Sequence, residues 1–113
     1  MAGRFLVLDL SLEMVALLRP VVEAIAKRDR DLASQIRRAA SSVPMCLAEG
    51  SRRAGQDRTH LYRVAAGSAD EVQIGLKVAL AWGYVQRSSS EEVLARIDRI
   101  LAMLWRITHP KSA

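Results

Sequence analysis

Apolar residues recur along the first half of the chain at the spacing of two amphipathic helices. From about Leu10 to Ala26 they are three or four residues apart, so they fall on one helical face. A similar pattern runs from Leu32 to Gly50. The charged segment 27–31 separates the two patterns, and either of its aspartates, Asp29 or Asp31, can cap the second helix.

Two prolines lie inside these patterns, and each removes a backbone donor and crowds the preceding turn. Pro20 is therefore expected to kink or split the first helix. Pro44 is expected to bend the second helix without dividing it, because the hydroxyls of Ser41 and Ser42 can bond to the freed carbonyls. A break at Ser42 is the alternative.

A third helical pattern, from about Asp57 to Gly83, follows a polar connection at residues 50–55. Its middle contains the small residues Gly67, Ser68 and Gly75. A glycine inside a helix costs about 1 kcal/mol relative to alanine. Close approach of a neighbouring helix is the expected compensation.

The fourth pattern follows the serine turn 88–90, and Ser89 with Glu92 has the spacing of a capping box. Its apolar stripe is wide enough to face both the bundle and a second surface. Pro110 ends it. Because the connections are short, neighbouring helices should be antiparallel. Residues 1–113 are thus predicted to form one all-α domain, an antiparallel four-helix bundle.

Composition supports packed helices, because half of the residues are hydrophobic and only 4% are aromatic. The single cysteine, Cys46, excludes an intrachain disulfide and suits a reducing cytoplasm. The apolar run that Asp9 closes is too short for a signal peptide. No charge-free stretch is long enough to span a membrane, so a cytoplasmic protein without membrane contact is expected.

Residue patterns typical of catalysis or metal binding are missing. A di-metal bundle needs paired Glu-x-x-His motifs, and the nearest match is Asp57 with His60. Cys46 has no cysteine or histidine at ligand spacing. Asp70 and Glu71 are adjacent and point to different sides of a helix. We therefore expect no catalytic residue, no metal, no cofactor and no enzymatic activity.

The net charge of +5 is compatible with a nucleic acid, an acidic protein or an anionic surface as partner. Basic residues cluster at the start of the second helix and around the second connection. The candidate phosphate ligands are Arg37, Arg38, Arg52, Arg53, Arg58 and Arg63. Tyr62 is the only aromatic residue among them, so a base-stacking platform is not expected. Alternatively, nearby acids neutralise these cations at the surface: Asp29, Asp31, Glu49 and Asp57.

Glu49 stands near the carboxyl end of the second helix, where the helix dipole disfavours a negative charge. A salt bridge to an arginine across helices or subunits would explain its position. The alternative is a solvated surface acid.

Three segments, in the same order and at the same separation, resemble a known bacterial family. They are Arg-Arg-Ala-Ala at 37–40, Ala-Glu-Gly at 48–50 and Gly-Ser-x-x-Glu at 67–71. From about Leu32 to Val85 the chain is similar to the four-helix-bundle family named after proteins encoded in 23S rRNA intervening sequences. Its motif corresponds here to Pro44, Glu49, Gly50, Gly67, Ser68 and Glu71.

The resemblance implies a bundle assembled as a homopentamer. A more distant relative is the accessory protein of diversity-generating retroelements, a basic pentamer that binds nucleic acid and a reverse transcriptase. RNA or DNA, and a protein partner such as a reverse transcriptase, are thus implied as partners. The family's usual Ala-Asn pair is replaced here by Met45-Cys46, so any role of that asparagine is lost. The usual acidic-aromatic start of helix three is also altered.

Two functions follow from these observations. The net charge, the arginine groups and the distant relative favour an oligomeric adaptor associated with nucleic acid. The wide stripe of the fourth helix and the small residues of the third favour an oligomeric protein–protein interaction module without nucleic acid. The first function is the favoured hypothesis.

Overall fold

The computed structural model describes the backbone of residues 2–111 and the side chains of residues 6–111. It contains helices α1 (Ala2–Ala26), α2 (Arg30–Ser51), α3 (Gly55–Trp82) and α4 (Arg87–Thr108). Across the described residues there is no strand. The predicted all-α four-helix fold is confirmed.

The helices form a closed square in which each packs against its neighbours in sequence order, and α4 returns to α1. Short connections make consecutive helices antiparallel. An ion pair between Arg96 of α4 and Glu13 of α1 joins the closing edge. The side-chain amide of Gln73 donates to Asp98 at 2.8 Å and links α3 to α4. α2 and α4 therefore lie on a diagonal, facing opposite sides of the bundle.

Local chemistry accounts for two helix ends. The carboxylate of Asp29 accepts a hydrogen bond from the backbone N–H of Leu32 at 3.0 Å, which caps α2. Asp31 lies inside the first turn instead. At the end of α3, Gly83 has φ of 77°, a left-handed conformation that glycine adopts without steric cost.

α4 begins at Arg87, earlier than the predicted capping box allows. Ser89 already lies inside the helix, and its hydroxyl donates to the carbonyl oxygen of Gln86 at 2.8 Å. The prediction that Ser89 and Glu92 cap this helix is therefore wrong. A serine in the first turn satisfies its hydroxyl by bonding back to the carbonyl three residues earlier.

Both internal prolines lie within unbroken helices. α1 continues through Pro20 and α2 through Pro44, so the expected single second helix is confirmed and a break at Ser42 is excluded. The bend at Pro44 stays a prediction. The hydroxyl of Ser41 donates to the carbonyl oxygen of Arg37 at 2.9 Å. The hydroxyl of Ser41 therefore does not bond to the carbonyl oxygen that Pro44 leaves without a donor, contrary to the expectation.

The interface between α2 and α3 is unusually close because each helix contributes a glycine. A Cβ atom on Gly75 would lie 2.6 Å from Cγ1 of Ile36 on α2. A Cβ atom on Gly50 would lie 2.7 Å from Cε1 of Tyr62 on α3. These distances are too short for real Cβ contacts, so any larger residue at either position would force its neighbour to move.

Between these glycines, the hydroxyl of Ser68 donates to the hydroxyl oxygen of Ser42 at 2.9 Å. The predicted close approach is therefore confirmed for Gly75 and Ser68. It is wrong for Gly67, which is exposed, with nothing within 4 Å of its would-be Cβ atom.

We expect Gly75→Ala to lower the free energy of unfolding by about 1–3 kcal/mol, because the added methyl group overlaps Ile36. Gly67→Ala is the matched control in the same helix and should raise the free energy of unfolding of the single chain by about 0.5–1 kcal/mol, since the methyl meets no other atom of that chain. Urea unfolding of both variants measures the difference. Equal effects from the two substitutions would contradict the close approach.

Candidate nucleic-acid interface

The outer face of α2 carries an open groove of about 830 Å³. Arg37 and Arg38 line one part of it and Arg52 another, with Met45 and Cys46 between them. At about 1.5 Å of rise per helical residue, the arginines extend over roughly 22 Å. The structure thus brings three of the six candidate arginines onto one surface, which we name the α2 arginine groove.

The amphipathic pattern of α2 creates this groove. Ile36, Val43 and Leu47 are buried against the core. Arg37, Arg38 and Met45 occupy the opposite side of the helix and are exposed. Helical periodicity therefore keeps the cations out of the core and places them beside the exposed Met45.

The guanidinium groups of the groove are not neutralised within the part of the chain that the structure describes. Arg37, Arg38 and Arg52 are exposed and form no ion pair there. Arg63 is likewise exposed, but it lies on α3 outside the groove. Glu49 also lines the groove but pairs with Arg53, so the three guanidinium groups leave the groove with a net positive charge.

The remaining two candidates are held locally at the α2–α3 connection. Arg53 pairs with Glu49 at 2.9 Å, with both side chains half-exposed. Nε of Arg58 lies 3.4 Å from the carbonyl oxygen of Gly50, to which it donates. These contacts position the connection and leave Arg53 and Arg58 less available to a ligand.

The alternative is that nearby surface acids neutralise the arginines. Among the described residues, Glu49 is the one such acid that forms an ion pair with a candidate arginine. Asp29 caps α2, while Asp31 and Asp57 form no ion pair there. The partner of Glu49 is an arginine four residues later, so the expected cross-helix salt bridge is wrong. A cross-subunit bridge stays a prediction.

At the end of the bundle where α2 begins, two aromatic rings meet a cation. The rings of Trp82 and Tyr84 are 14° from parallel, with their centroids 6.2 Å apart. The guanidinium of Arg28 lies 5.6 Å from the centroid of Tyr84. The Tyr84 hydroxyl donates to Asp29 at 3.3 Å. The sequence did not group these two rings with the basic residues, whereas the structure places Tyr84 beside Arg28.

The contacts of Tyr84 affect its ionisation. Desolvation of the ring and then the negative charge of Asp29 raise its pKa above the ordinary value of 10.0. The hydrogen bond to Asp29 acts in the same direction, while Arg28 opposes both. At neutral pH Tyr84 is therefore a neutral hydrogen-bond donor.

A largely apolar stripe with one carboxylate lies on the outer face of α3, in addition to the stripe that the sequence indicated on α4. Leu94, Leu101 and Ile107 of α4 pack against the core, which accounts for the width of its stripe. On α3, exposed residues recur at alternating spacings of three and four, the seam of a coiled coil. This α3 stripe consists of Val64, Gly67, Glu71, Ile74 and Val78.

The motif residues of α3 fall on two different faces. Ser68 faces α2, where it donates to Ser42. Gly67 and Glu71 belong to the α3 stripe and are exposed. A heptad count over residues 64–78 would have revealed this stripe from sequence, whereas the contact of Arg28 with Tyr84 joins segments that no local pattern connects.

Fold and charged surface together define the class: a basic, antiparallel four-helix bundle. A family model described as 23S rRNA-intervening sequence protein matches residues 6–106. Since this match spans most of its length, the chain belongs to that family.

A solved structure of the same fold is that of a protein with unknown function from the S23 ribosomal protein family, from Bacteroides thetaiotaomicron. Its TM-score is 0.83 at 20% sequence identity, and the match covers 91% of this chain and 98% of that chain. No functionally curated protein matches the chain. Within the described residues, each helix is too short or too polar to cross a bilayer.

We expect Tyr84→Phe to destabilise the protein at pH 7, because Asp29 loses its tyrosine donor. The folded pKa of Tyr84 is raised, so its contribution is complete below about pH 10 and is lost as pH rises through the folded pKa. Urea midpoints of the wild type and the variant should therefore differ at pH 7 and converge at alkaline pH. Identical midpoints at pH 7 would show that the hydrogen bond contributes nothing.

Proposed function

We propose that this protein is a non-enzymatic, oligomeric adaptor that binds nucleic acid through the α2 arginine groove. The observation that carries the proposal is the exposure of Arg37, Arg38 and Arg52 along one groove, without ion pairs among the described residues. Arginine guanidinium groups bind phosphate oxygens in a forked geometry, whatever the base sequence.

Oligomerisation would strengthen this weak, repeated contact. A single groove offers few phosphate contacts, whereas a ring of five chains, each with a net charge of +5, would carry about +25. The α3 stripe supports such an assembly, because Ile74 is 58% exposed in the single chain and Val64 and Val78 are each 38% exposed. The cytoplasm is the proposed location, since it keeps a thiol such as that of Cys46 reduced.

We expect Arg37→Gln with Arg38→Gln to weaken binding of a single-stranded RNA roughly tenfold at low salt. The slope of log K against log salt should fall in magnitude by about 1.4, because two phosphate contacts are removed. Fluorescence anisotropy at several salt concentrations measures both quantities.

The matched control is Arg99→Gln with Arg106→Gln, which removes the same charge from exposed positions on α4, across the bundle. It should leave most of the affinity intact. Equal losses from the two pairs would mean that net charge, rather than the groove, governs binding. Absence of RNA binding by the wild type at low salt would contradict the proposal.

The α3 stripe also favours a second candidate function, an oligomeric module that binds proteins and no nucleic acid. Its apolar residues suit a helix of another subunit or of a protein partner such as a reverse transcriptase. Pull-downs after nuclease treatment separate the two functions, because this candidate requires a protein partner that is retained without nucleic acid.

We expect Ile74→Lys to convert the oligomer into a 12.5 kDa monomer, because burying a lysine in an apolar interface is costly. Leu12→Lys is the matched control, since Leu12 is 53% exposed on α1, away from the stripe. Light scattering reports the mass of each protein. A wild type that is already monomeric, or a control that dissociates equally, would contradict assembly through α3.

A further inference from the structure

We propose that Trp82 and Tyr84 form a stacking platform for the bases of single-stranded nucleic acid at the end of the bundle where α2 begins. The inference rests on the proposed function, because the strand whose bases stack here is the one whose phosphates the α2 arginine groove binds. It adds the class of nucleic acid, namely one with unpaired bases.

The first observation is an exposed indole. Trp82 is the last residue of α3 and is 68% exposed, so folding gains little from its ring. A large aromatic surface left in water beside cations is typical of sites that stack nucleic-acid bases. Every base has a flat face, so such a site does not require a particular base sequence.

The second observation is that the neighbouring ring is already fixed in position. The Tyr84 hydroxyl is bound to Asp29 at 3.3 Å, and Arg28 lies over the ring at 5.6 Å. Asp29 is itself held at the amino end of α2 by its cap. Because Trp82 stacks within 14° of parallel on this fixed ring, its indole is already oriented, and a base can stack on its exposed face without reordering the loop.

The third observation is continuity of charge from this platform to the groove. Lys27, Arg28 and Arg30 are exposed at the α1–α2 turn. Arg30 and Arg37 are seven residues apart on α2, so they share one side of the helix at about 10 Å of rise. Phosphates that follow these cations would bring the adjoining bases to Trp82.

Trp105 provides an internal comparison. It is 61% exposed and stacks on His109, with ring centroids 3.5 Å apart. It lies on α4, the helix diagonal to α2, and its stacking partner is a histidine, whereas the stacking partner of Trp82 is a tyrosine with a guanidinium over its ring. The two tryptophans are therefore similar in exposure and different in surroundings.

The full chain is titrated at low salt with a ten-nucleotide oligothymidylate and with an abasic ten-mer that has the same phosphates. Trp105→Phe leaves Trp82 as the only tryptophan, and Trp82→Phe leaves Trp105. We expect oligothymidylate to quench Trp82 fluorescence and to leave Trp105 fluorescence nearly unchanged. The abasic strand should bind about tenfold more weakly and should not quench Trp82.

Trp82→Ala tests the contribution of the indole to affinity, with circular dichroism as the check that the variant is folded. The substitution should weaken binding of oligothymidylate about tenfold and leave binding of the abasic strand unchanged. Equal affinity for both strands, with no effect of Trp82→Ala, would overturn the platform while phosphate binding stands. Binding of neither strand would overturn the proposed function and the platform together. A third outcome is that Trp82 emission shifts with protein concentration alone and is not quenched by oligothymidylate. That result would place Trp82 in an interface between proteins and would also overturn the platform.

Discussion

The close packing of α2 on α3 is the contact on which the rest of the molecule depends. The missing side chain of Gly75 on α3 leaves room for Ile36 of α2, and that of Gly50 on α2 leaves room for Tyr62 of α3. Between them, the hydroxyls of Ser42 and Ser68 bond at 2.9 Å. Since neither glycine can accept a side chain without displacing its neighbour, this interface fixes the rotation of both helices about their axes.

Fixing that rotation determines which residues face solvent. With Ile36 turned inward, Arg37 and Arg38 are turned outward into the α2 arginine groove. With Gly75 turned toward α2, Ile74 is left exposed on the α3 stripe. One tight interface therefore produces two separate surfaces, one basic and one apolar. The proposed function assigns nucleic acid to the first and further copies of the chain to the second.

Features encoded by nearby residues could be predicted from sequence. The helical periodicities, the Asp29 cap and the close approach at Gly75 all follow from local patterns and residue size. The sequence pointed to α4 for a second apolar surface because its stripe is wide, but part of that width packs against the bundle's own core, as Leu101 does. The link between Arg28 and Tyr84 depends on how two connections meet in space, which no spacing along the chain records.

The central claim is that nucleic acid lies along the outer face of α2. Ultraviolet cross-linking of a single-stranded RNA to the wild-type chain, followed by mass mapping of the cross-linked peptides, tests it most directly. Cross-links are expected in peptides from residues 37–52 and in the peptide that contains Trp82 and Tyr84, with few in the exposed face of α4. Cross-links concentrated in α4, or none at low salt, would contradict it.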